Sequence, residues 1–347
     1  MMEAIDIRPL INEIKESVKR HRLESGAYSR WLWQKKDGRP RDLGINAYGC
    51  ADAINILYTV NEFSFNSIEK QASIDILRSL QDPQTGMFFE ATHHTFHTTA
   101  HCTGALELLD VRPLYPIRAL HPYLTRESLY ALLDGLDWER EPWSNSHQGA
   151  GVYAALVNAG EATEDFRKSY FEWFWDHTDE VTGFWNKEHA GKAPYSDKRL
   201  VENRASVYQY MAGGFHYLFN HQHEKKPLRY PEKVIDSCLH MYDTGALPPS
   251  FAQRCDFIEI DWLYCLTRAL RQTDHRADEA RERIEHFAKR YLHNLLSLDF
   301  SYDEGFNDLH ALFGSCCCLA ELQGFLGQHT VITEKPLRLV LDRRPFI

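Results

Sequence analysis

The sequence predicts an all-α protein whose helices form six hairpin repeats closed into an α6/α6 toroid. Three observations predict this class. A turn that joins glycine to an aromatic or apolar pair recurs along the chain. Helices with a single apolar stripe alternate with helices that are apolar on nearly every side, and strand patterns are scarce. We therefore expect one toroid domain over residues 1–329, with a C-terminal tail, residues 330–347, packed back on the barrel.

The recurring turn reads SGAY, TGMFF, TGFW, TGAL and EGF. Gly26 and Gly86 are 60 residues apart, Gly183 and Gly245 are 62 apart, and Gly245 and Gly305 are again 60 apart. The interval of 97 residues between Gly86 and Gly183 has room for one more copy, in which the tripeptide EPW replaces the glycine turn. Self-similarity at a nearly constant spacing is the sequence signature of a repeat architecture.

A helix that is apolar all round is a buried helix, whereas a helix with one apolar stripe lies at the surface. The last buried helix is as apolar as the others, which favours a closed ring over an open solenoid with a polar end repeat. The predicted inner helices cover 44–61, 96–110, 146–160, 203–220, 256–272 and 308–325. The predicted outer helices cover 3–22, 67–81, 125–137, 163–178, 231–242 and 276–296.

The unit Gln81…Gly86-Met87-Phe88, followed by an inner helix of small residues, resembles the repeat of the terpenoid cyclase and protein prenyltransferase superfamily. The resemblance covers the whole chain at the level of architecture and implies an α/α toroid. Several glycan-active families share that toroid without this repeat, so the fold alone leaves the chemistry open.

Composition argues against several classes of function. The net charge of −10 argues against a nucleic-acid partner, because phosphate binding needs clustered Lys and Arg. We expect no signal peptide, since the N-terminal segment has no uninterrupted apolar core, and no membrane span, since no run approaches ~18 apolar residues. The eight cysteines are expected to be free thiols in a cytoplasmic protein. The oligomeric state stays open.

In a toroid the linkers before the inner helices line one mouth of the cavity, where the positive ends of the helix dipoles also point. Polar residues in these linkers therefore converge although they are distant in sequence. The first such group is Asp256, Glu259 and Asp261, a set of carboxylates that is costly to bury unless used or paired. One of them would have a raised pKa and act as a general acid. Alternatively, Asp256 caps the helix and Asp261 forms a salt bridge.

The superfamily resemblance gives these carboxylates a second meaning. Class II terpene cyclases carry an Asp-x-Asp-Asp acid motif at an inner-helix start, and Glu259-Ile-Asp261 is similar in place but departs from that motif. Asp308 and His310 begin the last inner helix, and His310 matches the zinc-binding histidine of the prenyltransferases. The resemblance thus implies a possible zinc site that combines His310 with Asp256 or Asp261. Alternatively, Asp308 caps its helix and His310 hydrogen-bonds a neighbour.

The histidine-rich linker at the second repeat is another candidate site. His94, His97 and His101 are spaced three and four residues apart, which places them on one face of a helix at metal-ligand spacing. No His-Glu-x-x-His motif accompanies them. We therefore expect proton transfer or hydroxyl binding by His97 or His101, with metal binding or simple hydrogen bonding in the core as alternatives.

Further polar and aromatic linker residues are expected to form a substrate-binding wall, although the aromatic members could equally be core residues. Asp52 lies inside a buried helix and needs a partner. The expected wall consists of Asn46, Tyr48, His94, Trp143, Asn145, His147, Trp185, Arg204 and Tyr208.

Three functions fit these features. The first is an enzyme of the terpenoid cyclase or prenyltransferase type, with an aromatic cavity and a carboxylic general acid. The second is a carbohydrate-active toroid enzyme, namely a hydrolase, lyase or epimerase. The third is a binding or assembly protein without catalysis. The expected ligand is accordingly a small molecule, an isoprenoid or an oligosaccharide.

Overall fold

In the computed structural model of the chain, residues 2–35, 38–63, 67–186 and 205–345 are described. Helix is the dominant element, which confirms the all-α prediction. The first seven helices are α1 (Arg8–His21), α2 (Ala47–Thr59), α3 (Ser67–Ser79), α4 (Thr95–Leu108), α5 (Arg126–Gly135), α6 (Pro142–Ala159) and α7 (Glu164–Asp176). The remaining six are α8 (Val207–His223), α9 (Pro231–Thr244), α10 (Ile258–Leu270), α11 (Ala277–Ser297), the short α12 (Glu304–Asn307) and α13 (Leu309–Leu326).

Six of these helices pack against one another in cyclic order. Helix α2 contacts α4, α4 contacts α6, α6 contacts α8, α8 contacts α10, and α10 contacts α13. Helix α13 in turn contacts α2, which brings the last of the six against the first. These are the helices whose sequences are apolar on nearly every side. The amphipathic helices α1, α3 and α9 each pack against two members of this set.

The glycine turns have a common geometry. Gly86 and Gly183 have φ values of +78° and +77°, a region that suits glycine because it has no Cβ. The amide of Gly86 donates to the carbonyl of Asp82 at 2.9 Å, and that of Gly183 donates to the carbonyl of Asp179 at 2.8 Å. The recurring sequence therefore folds into a recurring tight turn, here seen at two of its copies.

Three element boundaries differ from the sequence prediction. Helix α6 begins at Pro142 rather than at 146, because proline is favoured at a first helical position, where no amide donor is needed. Helix α10 begins at Ile258 with Phe257 at the N-cap, so Asp256 neither caps the helix nor belongs to it. A 3₁₀ segment, Arg118–Leu124, was not predicted.

Short strands and the C-terminal segment complete the fold. Strand β1 (Ile5–Asp6) pairs in parallel with β4 (Val331–Ile332), and β2 (Arg22–Glu24) pairs antiparallel with β3 (Ala27–Tyr28).

The segment that follows β4 crosses the C-terminal ends of several central helices. Arg344 donates to Asn55 Oδ1 at 2.6 Å, Asp342 accepts from the buried Arg268 at 2.7 Å, and Asn158 donates to the carbonyl of Pro345 at 3.0 Å.

Helix α13 is long and apolar enough to cross a membrane by length and composition, the single such helix in the described parts of the chain. However, 83% of it is buried inside the protein, where it packs between α2 and α10. A core helix has the same composition, so this finding is weak evidence for a span. It contains Cys316, Cys317 and Cys318, which are buried free thiols like the other five cysteines.

Candidate functional site

A cluster of histidines lies between the central helices, with all but one of its helical members in the N-terminal halves of those helices. Four of the six helices contribute imidazoles to it, a fifth adds a tyrosine and an aspartate, and the linker before α4 adds one more ring. The cluster consists of Tyr48 and Asp52 from α2, His93 from the linker, His97 and His101 from α4, His147 from α6, His216 from α8 and His310 from α13.

Tyr48 lies at the centre of this cluster and is fully buried. Its ring stacks on His93 and on His101, with centroids 4.4 and 4.6 Å apart, and meets the edge of His310 at 4.6 Å. The hydroxyl of Tyr48 hydrogen-bonds His97 Nδ1. Burial raises the pKa of Tyr48 well above its usual value, so the hydroxyl stays protonated. This one side chain therefore fixes the position of four imidazoles.

Asp52 joins two of the imidazoles through a single oxygen atom. Its Oδ1 lies 2.8 Å from His101 Nε2 and 3.3 Å from His310 Nδ1. Burial by itself would raise the pKa of Asp52, but the imidazoles of His310 and His101 lower it below its usual value. Its second oxygen, Oδ2, is buried and has no hydrogen-bond partner within the described residues. The result is an ionised carboxylate held inside the protein by two histidines.

A second group consists of His97, His147 and His216, from three consecutive central helices. One ring nitrogen from each lies within 4.8 Å of the other two. The centroids of His97 and His147 are 4.4 Å apart, and those of His147 and His216 are 5.2 Å apart. Ser146 Oγ lies 2.7 Å from His216 Nδ1. His147 is partly exposed, whereas His97 and His216 are buried.

These imidazoles are neutral near pH 7. Burial, followed by the neighbouring imidazoles, holds the pKa of His97 and of His147 well below the usual range. The same causes lower the pKa of His216 to about 3 and, with Glu90 opposing them, that of His93 to about 4. Neutral imidazoles can accept protons or bind a metal ion, so the cluster is suited to either role.

Arg30 supports the cluster from the loop after β3. It pairs with both oxygens of Asp308 at 2.8 and 3.0 Å, and its Nη1 lies 3.6 Å from Glu90. Asp308 caps α13, and its Oδ1 accepts from the backbone amide of His310 at 3.0 Å. The capping alternative for Asp308 is thus what the structure shows, and the buried ion pair positions the start of the helix that carries His310.

Several of the predicted wall residues have local structural roles. Asn46 caps α2, His94 caps α4, and Asn145 bonds the backbone of Asp137 and Glu141. His94 Nδ1 accepts from the amide of Phe96 at 3.2 Å, and His94 belongs to neither group of close ligand atoms described below.

The aromatic wall residues divide between core and surface. Trp185 is a core residue stacked on His221 at 4.6 Å. Trp143 is 39% exposed and meets the partly buried Tyr208 at 6.5 Å. Arg204 lies outside the described residues.

The three predicted carboxylates near α10 are separated in environment. Asp256 is partly exposed and ion-paired with Arg254 at 2.7 Å. Glu259 is fully buried and accepts from the amide of Ala252 at 2.7 Å, and burial raises its pKa to about 8. Asp261 is buried, its side chain makes no hydrogen bond with a described residue, and burial raises its pKa well above the usual value. Burial therefore favours the protonated, neutral form of both Glu259 and Asp261.

The metal-ligand sets predicted from the sequence are not the ones that the structure gathers. Among the described residues, two groups of three side chains have ligand atoms within 4.8 Å: Asp52 with His101 and His310, and His97 with His147 and His216. Neither group contains His94, Asp256 or Asp261. His310 is instead bound to Asp52, which the sequence marked as needing a partner.

His216 was missed by sequence reasoning. It is the tenth residue of α8, whereas the predicted candidates lie in the linkers or near the helix starts. Gly213 explains its position, because a Cβ there would lie 2.9 Å from the carbonyl oxygen of Pro142, at the start of α6. This close contact fixes the position of α8 along the axis of α6, and it places His216 beside Ser146. The glycine pair shortly before this histidine was the available signal.

Comparisons with models of known protein families, with curated proteins and with solved structures give no match.

Proposed function

We propose that this chain is an α6/α6 toroid enzyme that abstracts a proton from carbon in a small, hydroxyl-rich substrate of the carbohydrate class. The cyclic packing of the six apolar helices supports the toroid, with α1, α3, α5, α7, α9 and α11 as the outer layer. In that arrangement the histidine cluster lies at the mouth formed by the helix N-termini, where an anionic intermediate is also favoured by the helix dipoles.

The observation that carries the proposal is the shared Oδ1 of Asp52, which bonds His101 at 2.8 Å and His310 at 3.3 Å. A carboxylate hydrogen-bonded to one imidazole nitrogen orients the ring and stabilises the imidazolium that forms when the other nitrogen takes a proton. His310 has Nδ1 on Asp52, which leaves Nε2 as its proton-accepting atom. We therefore assign His310 as the general base and Asp52 as the residue that positions it.

The cluster favours proton abstraction over glycoside hydrolysis within the carbohydrate class. Hydrolysis uses a pair of carboxyl groups on either side of the bond. Among the described residues, Asp52 is the single carboxylate of a central helix that hydrogen-bonds the clustered imidazoles, and it is already engaged by His101 and His310. Glu90, from the linker before α4, reaches only His93, at 3.3 Å. An epimerase or a lyase needs instead a base that removes a proton next to a carbonyl or carboxylate, with the proton returned or a leaving group expelled.

A second candidate is the isoprenoid cyclase type of reaction. It is favoured by Glu259 and Asp261, whose carboxyls are held protonated by burial near Tyr208. A protonated carboxylic acid in a dry site can protonate an alkene, as the superfamily resemblance implies for this helix start. The polar character of the histidine cluster favours the first proposal over this one.

Deuterium exchange tests the first proposal even when the product is unidentified. The protein is incubated in D₂O with a panel of aldoses, N-acyl amino sugars and uronates, and loss of C–H signals is followed by proton NMR. We expect exchange in at least one compound, lost by at least about 100-fold in Asp52→Asn and His310→Gln. His121→Gln, at an exposed ion pair with Glu161, serves as the control and keeps full exchange. Exchange that survives His310→Gln would refute the assignment, and no exchange with any class would refute the proposed reaction.

A further inference from the structure

We infer that His97, His147 and His216 bind one divalent transition-metal ion of the zinc class. The inference deepens the proposed function and rests on it for the role of the ion, although the binding itself can be measured independently. One nitrogen of each ring lies within 4.8 Å of the others. Zinc held by three imidazoles at about 2.0–2.1 Å brings the nitrogens to about 3.4 Å from one another, so small ring rotations would close the site.

Two of the three rings make a hydrogen bond through one nitrogen, as metal-binding histidines do. A ligand histidine usually donates its other ring N–H to an oxygen, which fixes the ring and its tautomer. The Tyr48 hydroxyl occupies Nδ1 of His97, and Ser146 Oγ occupies Nδ1 of His216 at 2.7 Å. The nitrogen left on each ring is Nε2. The side chain of His147 makes no hydrogen bond with a described residue, so its ring is available as the third ligand.

The two candidate triads are not equivalent. In the group of Asp52, His101 and His310, the close approach is explained by hydrogen bonds between the members. In the group of His97, His147 and His216, no hydrogen bond joins the members within the part of the chain that the structure describes. The three neutral rings nevertheless lie close together. Hydrogen bonding among the three rings does not explain their close approach, whereas a cation bound by all three would explain it. We therefore assign the metal to the second group and proton transfer to the first.

Three protein ligands leave a coordination position open, which is the arrangement of catalytic rather than structural zinc sites. His147 is the partly exposed member, so the open position faces the accessible side of the site. An ion there would polarise a carbonyl or carboxylate oxygen of the substrate. The base His310 lies close by, with its ring centroid 6.4 Å from that of His97. The ion and the base would thus act on adjacent atoms of one substrate.

Metal titration of the chelator-treated full-length protein tests the inference. We expect Zn²⁺ and Co²⁺ to bind with a stoichiometry of one per chain, and the Co²⁺ form to show the visible spectrum of a tetrahedral nitrogen-rich site. His147→Ala and His216→Ala should abolish stoichiometric binding. Ser146→Ala, which removes only the partner of His216 Nδ1, should weaken it by about 10–100-fold. Circular dichroism and thermal melts establish that each variant is folded. His147→Ala is the variant least expected to unfold the protein, because His147 is partly exposed.

Two controls fix the location of the ion. His121→Gln removes an imidazole outside the cluster, at an exposed ion pair with Glu161, and it should leave the metal affinity unchanged. Asp52→Asn should also retain stoichiometric binding. Loss of binding in Asp52→Asn with retention in His147→Ala would move the site to the other triad and overturn the assignment. Absence of stoichiometric Zn²⁺ and Co²⁺ binding would overturn it outright.

The two proposals can fail separately. Deuterium exchange that is equal in metal-free and metal-loaded protein, yet lost in Asp52→Asn, would reject the catalytic role of the ion and leave the proposed reaction intact. Stoichiometric binding to the His147 site without exchange in any compound would uphold the metal site and reject the reaction.

Discussion

His101 Nε2 lies 2.8 Å from Asp52 Oδ1, and neither side chain is exposed to solvent. Such a pair is strongly coupled, because removal of either partner takes from the other a buried hydrogen bond between an imidazole and a carboxylate. It lies one helix turn below Tyr48 on α2 and one turn below His97 on α4. The histidine cluster therefore rests on a contact that also contributes to the stability of the fold.

Asp52→Asn should destabilise the protein by about 1–3 kcal/mol, since the amide can still accept one hydrogen bond but no longer offers a charge. Chemical denaturation at pH 7 measures the free energy of unfolding. Asp110→Asn is the matched control, because Asp110 is an exposed residue in surface ion pairs. Its change should stay within about 0.5 kcal/mol. Equal effects of the two substitutions would contradict the importance of the buried pair.

Glu259→Gln should change the pH dependence of stability. The pKa of Glu259 is raised from 4.5 to about 8 in the folded state, chiefly by burial. Between these values the unfolded chain loses its proton while the folded chain keeps it, so wild-type stability falls as the pH rises. Glutamine is neutral throughout and can still accept from the Ala252 amide. The free energy of unfolding of the variant, relative to that of wild type, should therefore increase from pH 4.5 to about 8, by on the order of a few kcal/mol in all. Above that pH the difference should stay constant.

Denaturation midpoints measured from about pH 5 to about pH 9 check this difference. A constant gap between wild type and Glu259→Gln over that interval would show that Glu259 is not held protonated. Asp261 has a raised pKa as well, so some decline with pH should remain in the variant.

Arg30→Ala should cost about 3–5 kcal/mol, because it leaves Asp308 and Glu90 without their buried cation. The loss should also disturb the start of α13 and so reduce deuterium exchange through His310. Arg126→Ala, at an exposed pair with Glu172, should change stability by less than about 1 kcal/mol. Similar costs for the two arginines would mean that the Arg30 network contributes no more than a surface pair.

Gly86→Ala and Gly245→Ala separate backbone strain from packing. Both glycines have positive φ, at +78° and +71°, and both variants carry the strain of a left-handed residue, about 1–2 kcal/mol. A Cβ at Gly86 would also lie 1.9 Å from the carbonyl oxygen of Pro116, whereas one at Gly245 meets nothing within 4 Å. Gly86→Ala should therefore lower the thermal midpoint clearly more than Gly245→Ala. Equal thermal midpoints would show that the turn at Gly86 accommodates the added Cβ without further loss of stability.

The alternation of striped and fully apolar helices was predictable, because the periodicity of apolar residues along a helix indicates which of its faces are buried. Helix starts were less predictable. Pro142 extends α6 by an N-terminal turn, and Asp256 lies before α10 because Phe257 takes the capping position. These choices depend on tertiary packing, which a local pattern does not contain.

The site was partly predictable for a related reason. Tyr48, His97, His101, His147 and His310 occupy linkers or early helix turns, and the structure gathers all five. Polar residues with short side chains at the same places, Asn46 among them, satisfy backbone amides instead. His216 was not predicted, because its position relative to α6 is set by the contact of Gly213 with that helix. Such a contact is a relation between two helices rather than a property of either one.

The contact between α2 and α13 has a kinetic consequence. It joins segments about 250 residues apart in sequence, and contacts of such separation form late because loop closure must precede them. The hydrogen bond between His310 and Asp52 crosses this same junction. A folding intermediate with α2 and α4 already packed would hold Asp52 and His101 together but would lack the third member. The complete histidine cluster should therefore form in the slowest phase of folding, after most helical signal has already developed.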